Sequence, residues 1–161
     1  DDALAAYQKA AELDPSYADA FFGAGIIQVQ RHQPAQAVAS LKHSLELRPD
    51  YLPAQVPLTW LLASSPDATV RDPKLALTFG ERSVALTLDR DPSALDALGA
   101  ALAANGNFER AAQSVQRALD LIGANADPTA PGVNVPPATV TGPMRARLAL
   151  YRLGRPFIDA P

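Results

Sequence analysis

Residues 3–49 read ALAAYQKAAELDPSYADAFFGAGIIQVQRHQPAQAVASLKHSLELRP, and the end of this stretch repeats its beginning. Ala3, Tyr7, Ala10 and Pro15 return as Ala37, Leu41, Ser44 and Pro49, each 34 positions later. Within each set the small, large and small residues fall four and then three apart, on one face of a helix, and the proline marks its end. A third pass carries Leu98-Gly99 with Leu102, then Asn105-Gly106-Asn107, Ala111, Val115 and Ala118. Such a period is the mark of an array in which no unit buries its apolar stripe alone and each covers the next. The predicted fold is all-α, an α-solenoid of stacked helix-turn-helix units closed by a C-terminal capping helix.

The phase divides residues 1–123 into a half repeat (1–16) and repeats over about 17–51, 52–91 and 92–123. The chain opens on what reads as a second helix whose first helix is missing. That predicts a piece cut from a longer bacterial protein. In the first complete repeat Phe21 supplies bulk, Gly25 suits a close helix approach and Gln28 departs from the usual aromatic. His32 stands in the turn, where a left-handed backbone is common and His is among the more tolerant residues. The second helix of that repeat is predicted over Pro34 to Leu47. The next repeat keeps Leu58 and Leu62, but Ala76 follows Ala37 by 39 residues, so five have been inserted. They fall between Ser64 and Pro73, where Asp72 suits a helix cap and Pro73 a first turn. Such insertions form a loop on one face of an array, often a functional one. Residues 124–142, rich in Pro, Ala, Thr and Gly, read as an extended connector. Residues 143–161 read as a capping helix from Pro143 to about Leu153 and a tail. Met144, Leu148 and Tyr151 share one face of that helix, with Arg145, Arg147 and Arg152 on others.

These anchors resemble the tetratricopeptide repeat, whose signature is a large residue, Leu-Gly, an aromatic, Ala, an aromatic, Ala and Pro. A narrower likeness runs through Trp60-Leu61-Leu62-Ala63-Ser64-Ser65-Pro66-Asp67, Ala97 to Ala103 and Arg147 to Phe157. It is similar to the C-terminal repeat tails of multidomain bacterial proteins, including glycosyltransferase-like and sulfatase-like chains, and implies an appendage. The family resemblance places ligands on the concave face made by the first helices. Here that face would present Phe22, Ile26 and Gln30, then Val56 and Trp60, then Asp96, Ala97 and Ala100. Co-chaperone members grip a terminal carboxylate with Lys, Asn and Arg. Phe22, Ile26, Pro57, Ser93 and Ala97 hold the matching positions here, so that clamp is not carried over.

Composition narrows the chemistry. The formal net charge is -3, with no cluster of Lys and Arg, which argues against the electrostatic footprint of a nucleic-acid partner. The absence of cysteine excludes disulfides and thiolate metal sites but leaves the compartment open. No apolar run approaches the roughly 18 residues of a transmembrane helix, so no membrane contact is expected of this segment. His32 and His43 are the two histidines, and neither has carboxylates at a spacing that completes a metal site. Ser64, Ser65 and Asp67 lie together without a histidine, and a nucleophile needs a base within reach. No Gly-rich phosphate loop is present. No catalytic residue, metal or cofactor is expected.

Trp60, the only tryptophan, has two readings: an anchor for a partner's extended segment, or a residue packed inside against the connector or against preceding repeats. The functional expectation is a protein–protein interaction module or scaffold that holds a peptide or domain on an apolar concave surface. The alternative is an appendage packed in cis on a larger enzyme, or one that pairs with itself as a homodimer. An apolar groove of this kind calls for a cover, and Val133 and Val135 of the connector are one candidate.

Overall fold

A computed structural model describes residues 2–125 and 138–159. It contains α1 (Asp2–Leu13), α2 (Ala18–Gln30), α3 (Pro34–Leu47), α4 (Leu52–Ser64), α5 (Pro73–Leu86), α6 (Pro92–Ala104), α7 (Phe108–Asn125) and α8 (Ala138–Arg152), with no strand among the described residues. Successive helices pack on one another, and α4 also packs on α6 and touches α2, so α2, α4 and α6 form one layer against which α3, α5 and α7 pack. The fold is an all-helical stack of helix pairs.

Equivalent positions of each pair carry the packing. Ala20, Ala54 and Ala94 on the first helices, and Ala37, Ala76 and Ala111 on the second, are all fully buried. Two glycines show how little room the seams leave. A Cβ on Gly25 would stand 2.8 Å from Leu41 Cγ, and one on Gly99 2.6 Å from Val115 Cγ2. Larger residues fill the spaces between, with Leu41, Leu58, Leu62 and Val115 fully buried. Three buried serines at the seams are satisfied internally, as interiors favour. Ser44 Oγ donates to the Ala18 carbonyl at 2.9 Å, Ser114 Oγ to the Leu95 carbonyl at 2.6 Å, and Ser83 Oγ to Gln55 Oε1 at 3.1 Å. Gln28, the departure from the aromatic signature, accepts from Ser40 Oγ at 2.7 Å.

The turns follow their local chemistry. His32 has φ 55° and its counterpart Gly106 φ 78°, so both three-residue turns pass through the left-handed region. The turn between α4 and α5 spans eight residues (65–72), five more than those turns. Asp72 caps α5 by accepting from the Leu75 N–H at 3.0 Å, and Pro73 opens the helix. Asp67 accepts from both Thr69 N (2.9 Å) and Thr69 Oγ1 (2.7 Å), which folds the inserted loop on itself. Leu88 and Asp89, with φ 51° and 57°, form a second left-handed turn with no glycine to announce it.

The capping helix differs from expectation in its start. It begins at Ala138, and Pro143 lies inside it. As the sixth residue of α8, Pro143 gives up one main-chain hydrogen bond to the first turn. The apolar residues of α8 seat on the last pair: Met144, Leu148 and Tyr151 are buried in one cluster with Leu98, Leu102, Ala111 and Val115. At the other end α1 buries none of its residues. Its Tyr7, 38% exposed, covers Gly23, where a Cβ would lie 2.4 Å from the ring.

Candidate functional site

The layer of first helices divides into an open half and a closed half. On α2, Gln30 is exposed and Phe22 and Ile26 are half-buried. Phe22 meets Tyr51 edge-on, with ring centroids 5.3 Å apart. On α4, Val56 and Trp60 are half-buried. The third group is a correction to the sequence reading: Asp96, Ala97 and Ala100 are 4%, 0% and 3% exposed. They do not form an open surface, because α6 is buried continuously from Ala94 to Ala103 by α4, α5 and α7, with Arg147 of α8 closing over Asp96.

That cover is built around a charge pair. Arg147 of α8 donates from Nε to Asp96 Oδ1 at 3.1 Å and from its terminal guanidinium nitrogen to Oδ2. Both side chains are largely out of water, at 12% and 5% exposure. A charge placed on an otherwise apolar helix needs such a partner. Burial nevertheless raises the Asp96 carboxyl above its ordinary value, and the hydrogen bonds and charge of Arg147 oppose this only in part. The guanidinium carbon also sits 4.8 Å from the Trp60 ring centre and 5.5 Å from that of Phe157. Tyr151 is buried alongside, its hydroxyl without a hydrogen-bond partner. Its ionisation is pushed up, first by burial and then by Asp96.

Beyond α8 the chain turns back over the layer. Gly154, at φ 67°, ends the helix, with its N–H bonded to the Tyr151 carbonyl (2.9 Å) and the Arg155 N–H to that of Leu150 (3.0 Å). This is the glycine-terminated cap that reverses a chain. Phe157 then meets Trp60 edge to face, with centroids 6.3 Å apart at 89°. The Asp159 N–H closes the crossing with a 2.8 Å bond to the Ser64 carbonyl at the end of α4. Arg147 and Phe157 were not named as site residues in the sequence, where Arg147 was placed away from the buried face. The legible signal was Asp96, a lone carboxylate in an Ala/Leu helix that demands a cation. For Trp60 the structure shows packing on Arg147 and Phe157. The connector residues Val133 and Val135 lie outside the described residues.

Elsewhere, a hollow of about 640 Å³ separates α3 from the inserted loop, lined by Val38, Lys42, Val70, Arg71 and Lys74 among others. His43 meets Phe21 edge-on (4.2 Å between centroids) and approaches Glu46 at 3.0 Å. No group of three or more His, Asp or Glu gathers at one point among the described residues, and no described helix is long and apolar enough to cross a membrane.

The family model described as TPR repeat matches residues 1–31. The whole stack superposes on solved proteins of that kind. One is YrrB, described as a TPR protein with an unusual peptide-binding site, at TM-score 0.64 and 26% identity, covering 94% of this chain and 69% of that one. The chain has the fold of a tetratricopeptide-repeat array. MamA from Desulfovibrio magneticus RS-1 (residues 41 to its end) matches the same tetratricopeptide fold at TM-score 0.63 and 22% identity, over 94% of this chain and 77% of that one. A further MamA crystal structure gives 0.64 and 18%, over 94% and 83%. Among curated protein sequences none matches.

Proposed function

We propose that this tetratricopeptide array is a non-catalytic protein-interaction module that takes an extended peptide segment along its first helices. The observation that carries the reading is the unequal cover of that layer. Phe22, Ile26 and Val56 stay partly open to solvent, with Gln30 exposed at one edge and Trp60 at the boundary of the closed half. A shallow apolar strip with few polar groups suits a segment whose side chains supply the contact area. The resemblance to YrrB, described as having a peptide-binding site, supports a peptide partner. The net charge of -3 favours protein over nucleic acid.

The test is selection of binders from a displayed library of random dodecapeptides, followed by titration against single variants. Ile26→Glu should weaken the selected peptides by about a hundredfold, the scale of a lost interface anchor, while Arg117→Glu on the outer surface of α7 should leave them unchanged. Selected peptides insensitive to Ile26→Glu would place binding elsewhere.

A further inference from the structure

Residues 155–159 lie across the first-helix layer much as a bound peptide would. Phe157 sets its ring beside Trp60 and the Arg147 guanidinium, which also touch each other, and the Asp159 main chain donates to the end of α4 at Ser64. The flanks of this crossing stay in water: Leu153 is 72% and Ile158 44% exposed, and Arg155 and Pro156 are also exposed. A segment built for permanent packing would bury its large apolar residues. In this one Phe157 is the only residue of 155–159 that is not exposed, while two large aliphatic side chains at its flanks remain outside. Gly154, in the left-handed region with only Phe108 at 3.9 Å from a would-be Cβ, supplies a pivot next to it.

We propose that Arg155–Asp159 is an intramolecular pseudo-ligand of the groove, and that the partner that displaces it is an extended segment with an aromatic residue directly after a proline. The proposal rests on the peptide-binding reading above and names the ligand chemistry at its closed end. The prolyl residue holds the segment extended. The aromatic ring takes the Phe157 position against a tryptophan face and a guanidinium, both of which recognise π systems. A main-chain N–H two residues on satisfies the Ser64 carbonyl. A segment tethered this closely acts at an effective concentration of about millimolar, so a free peptide of equal affinity competes only at raised concentration, and a natural partner gains by extending into the open half along Val56 and Ile26.

Trp60 is the only tryptophan, so its emission reports this site directly. The probe is the end-blocked heptapeptide LGRPFID, which copies residues 153–159, titrated into the full chain and into two variants. Phe157→Ser removes the ring. Asp159→Pro removes the N–H donor while keeping Phe157, and covers the case in which the first variant does not fold, as judged by far-ultraviolet circular dichroism. Release of the strap should shift Trp60 emission to the red, and the peptide should reverse the shift. Half-saturation of the released variants should need about tenfold less peptide than the parent chain, as expected where the competent state is occupied about a tenth of the time. The same peptide with serine for phenylalanine should have no effect. Unchanged emission in both variants, equal titration of parent and variants, or no titration of a variant whose emission has shifted would each overturn the proposal. The Ile26→Glu outcome with selected peptides is independent of all three, so failure of the strap and failure of the peptide-binding reading are told apart.

Discussion

Replacing Arg147 by methionine should destabilise the C-terminal end of the array far more at neutral than at mildly acid pH. The methionine keeps the apolar stem but leaves Asp96, 4% exposed, without its counter-charge. Removing one partner of a buried ion pair costs about 3–5 kcal/mol, equivalent to a fall of about 6–20 °C in melting temperature for a chain of this size. In the parent chain Asp96 is already raised above its ordinary 3.8, by burial ahead of the Arg147 contributions that oppose it. The folded state therefore holds this proton more tightly than the unfolded one. The stabilisation from Asp96 is complete below the ordinary carboxylate range and is lost as pH rises through the raised folded value. Without Arg147 both opposing contributions vanish, the carboxyl moves higher still, and the loss with rising pH steepens. In acid the neutral carboxyl costs only about 1–3 kcal/mol as an unsatisfied buried group. Thermal melts at the two pH values measure this. The double variant Asp96→Leu/Arg147→Met, which removes both charges, should return to within about 1 kcal/mol of the parent. A single variant that loses less than about 1 kcal/mol at neutral pH, or the same amount at both, would refute the placement of a buried charge on α6.

Gly99→Ala should cost about 1–3 kcal/mol by overpacking, although Ala is the better helix former by about 1 kcal/mol. Its Cβ would lie 2.6 Å from Val115 Cγ2 and 3.2 Å from the Ala111 carbonyl oxygen, which cannot step aside; urea titration checks it. Leu41→Ala, at a fully buried site shared by α2 and α3, should lose about 2–5 kcal/mol in the same assay. Asp91→Ala removes the carboxylate that caps α6 by accepting from Ser93 N (2.7 Å) and Ala94 N (3.2 Å). A loss of about 1 kcal/mol is expected, with faster amide exchange confined to the first turn of α6.

The repeat phase was legible because the packing points need particular residues. Ala37 and Ala111 are fully buried, and at Gly25 and Gly99 the neighbouring helix leaves no room for a Cβ, so small side chains suit these places in each repeat. The positive φ at His32 followed from its place in the turn, and the Asp72 cap from local hydrogen bonding. The start of α8 was not legible, because a proline near a helix start permits a turn ahead of it. The cover over α6 was hidden for a different reason. Asp96 and Arg147 lie 51 residues apart, and no local pattern joins them. Only the demand of a buried carboxylate for a cation connects the two, and several arginines met it equally well on paper. Phe157, likewise, reaches Trp60 only because Gly154 reverses the chain.

The central claim, that the first-helix layer receives an extended segment, is most directly tested by amide chemical-shift mapping of the labelled chain with a peptide selected by display. The account expects the shifts to run along α2 and α4, through Phe22, Ile26 and Val56 to Trp60, and to include Phe157 as the tail gives way. Shifts confined to α5 and the outer surface of α7, with α2 and α4 unmoved, would contradict it.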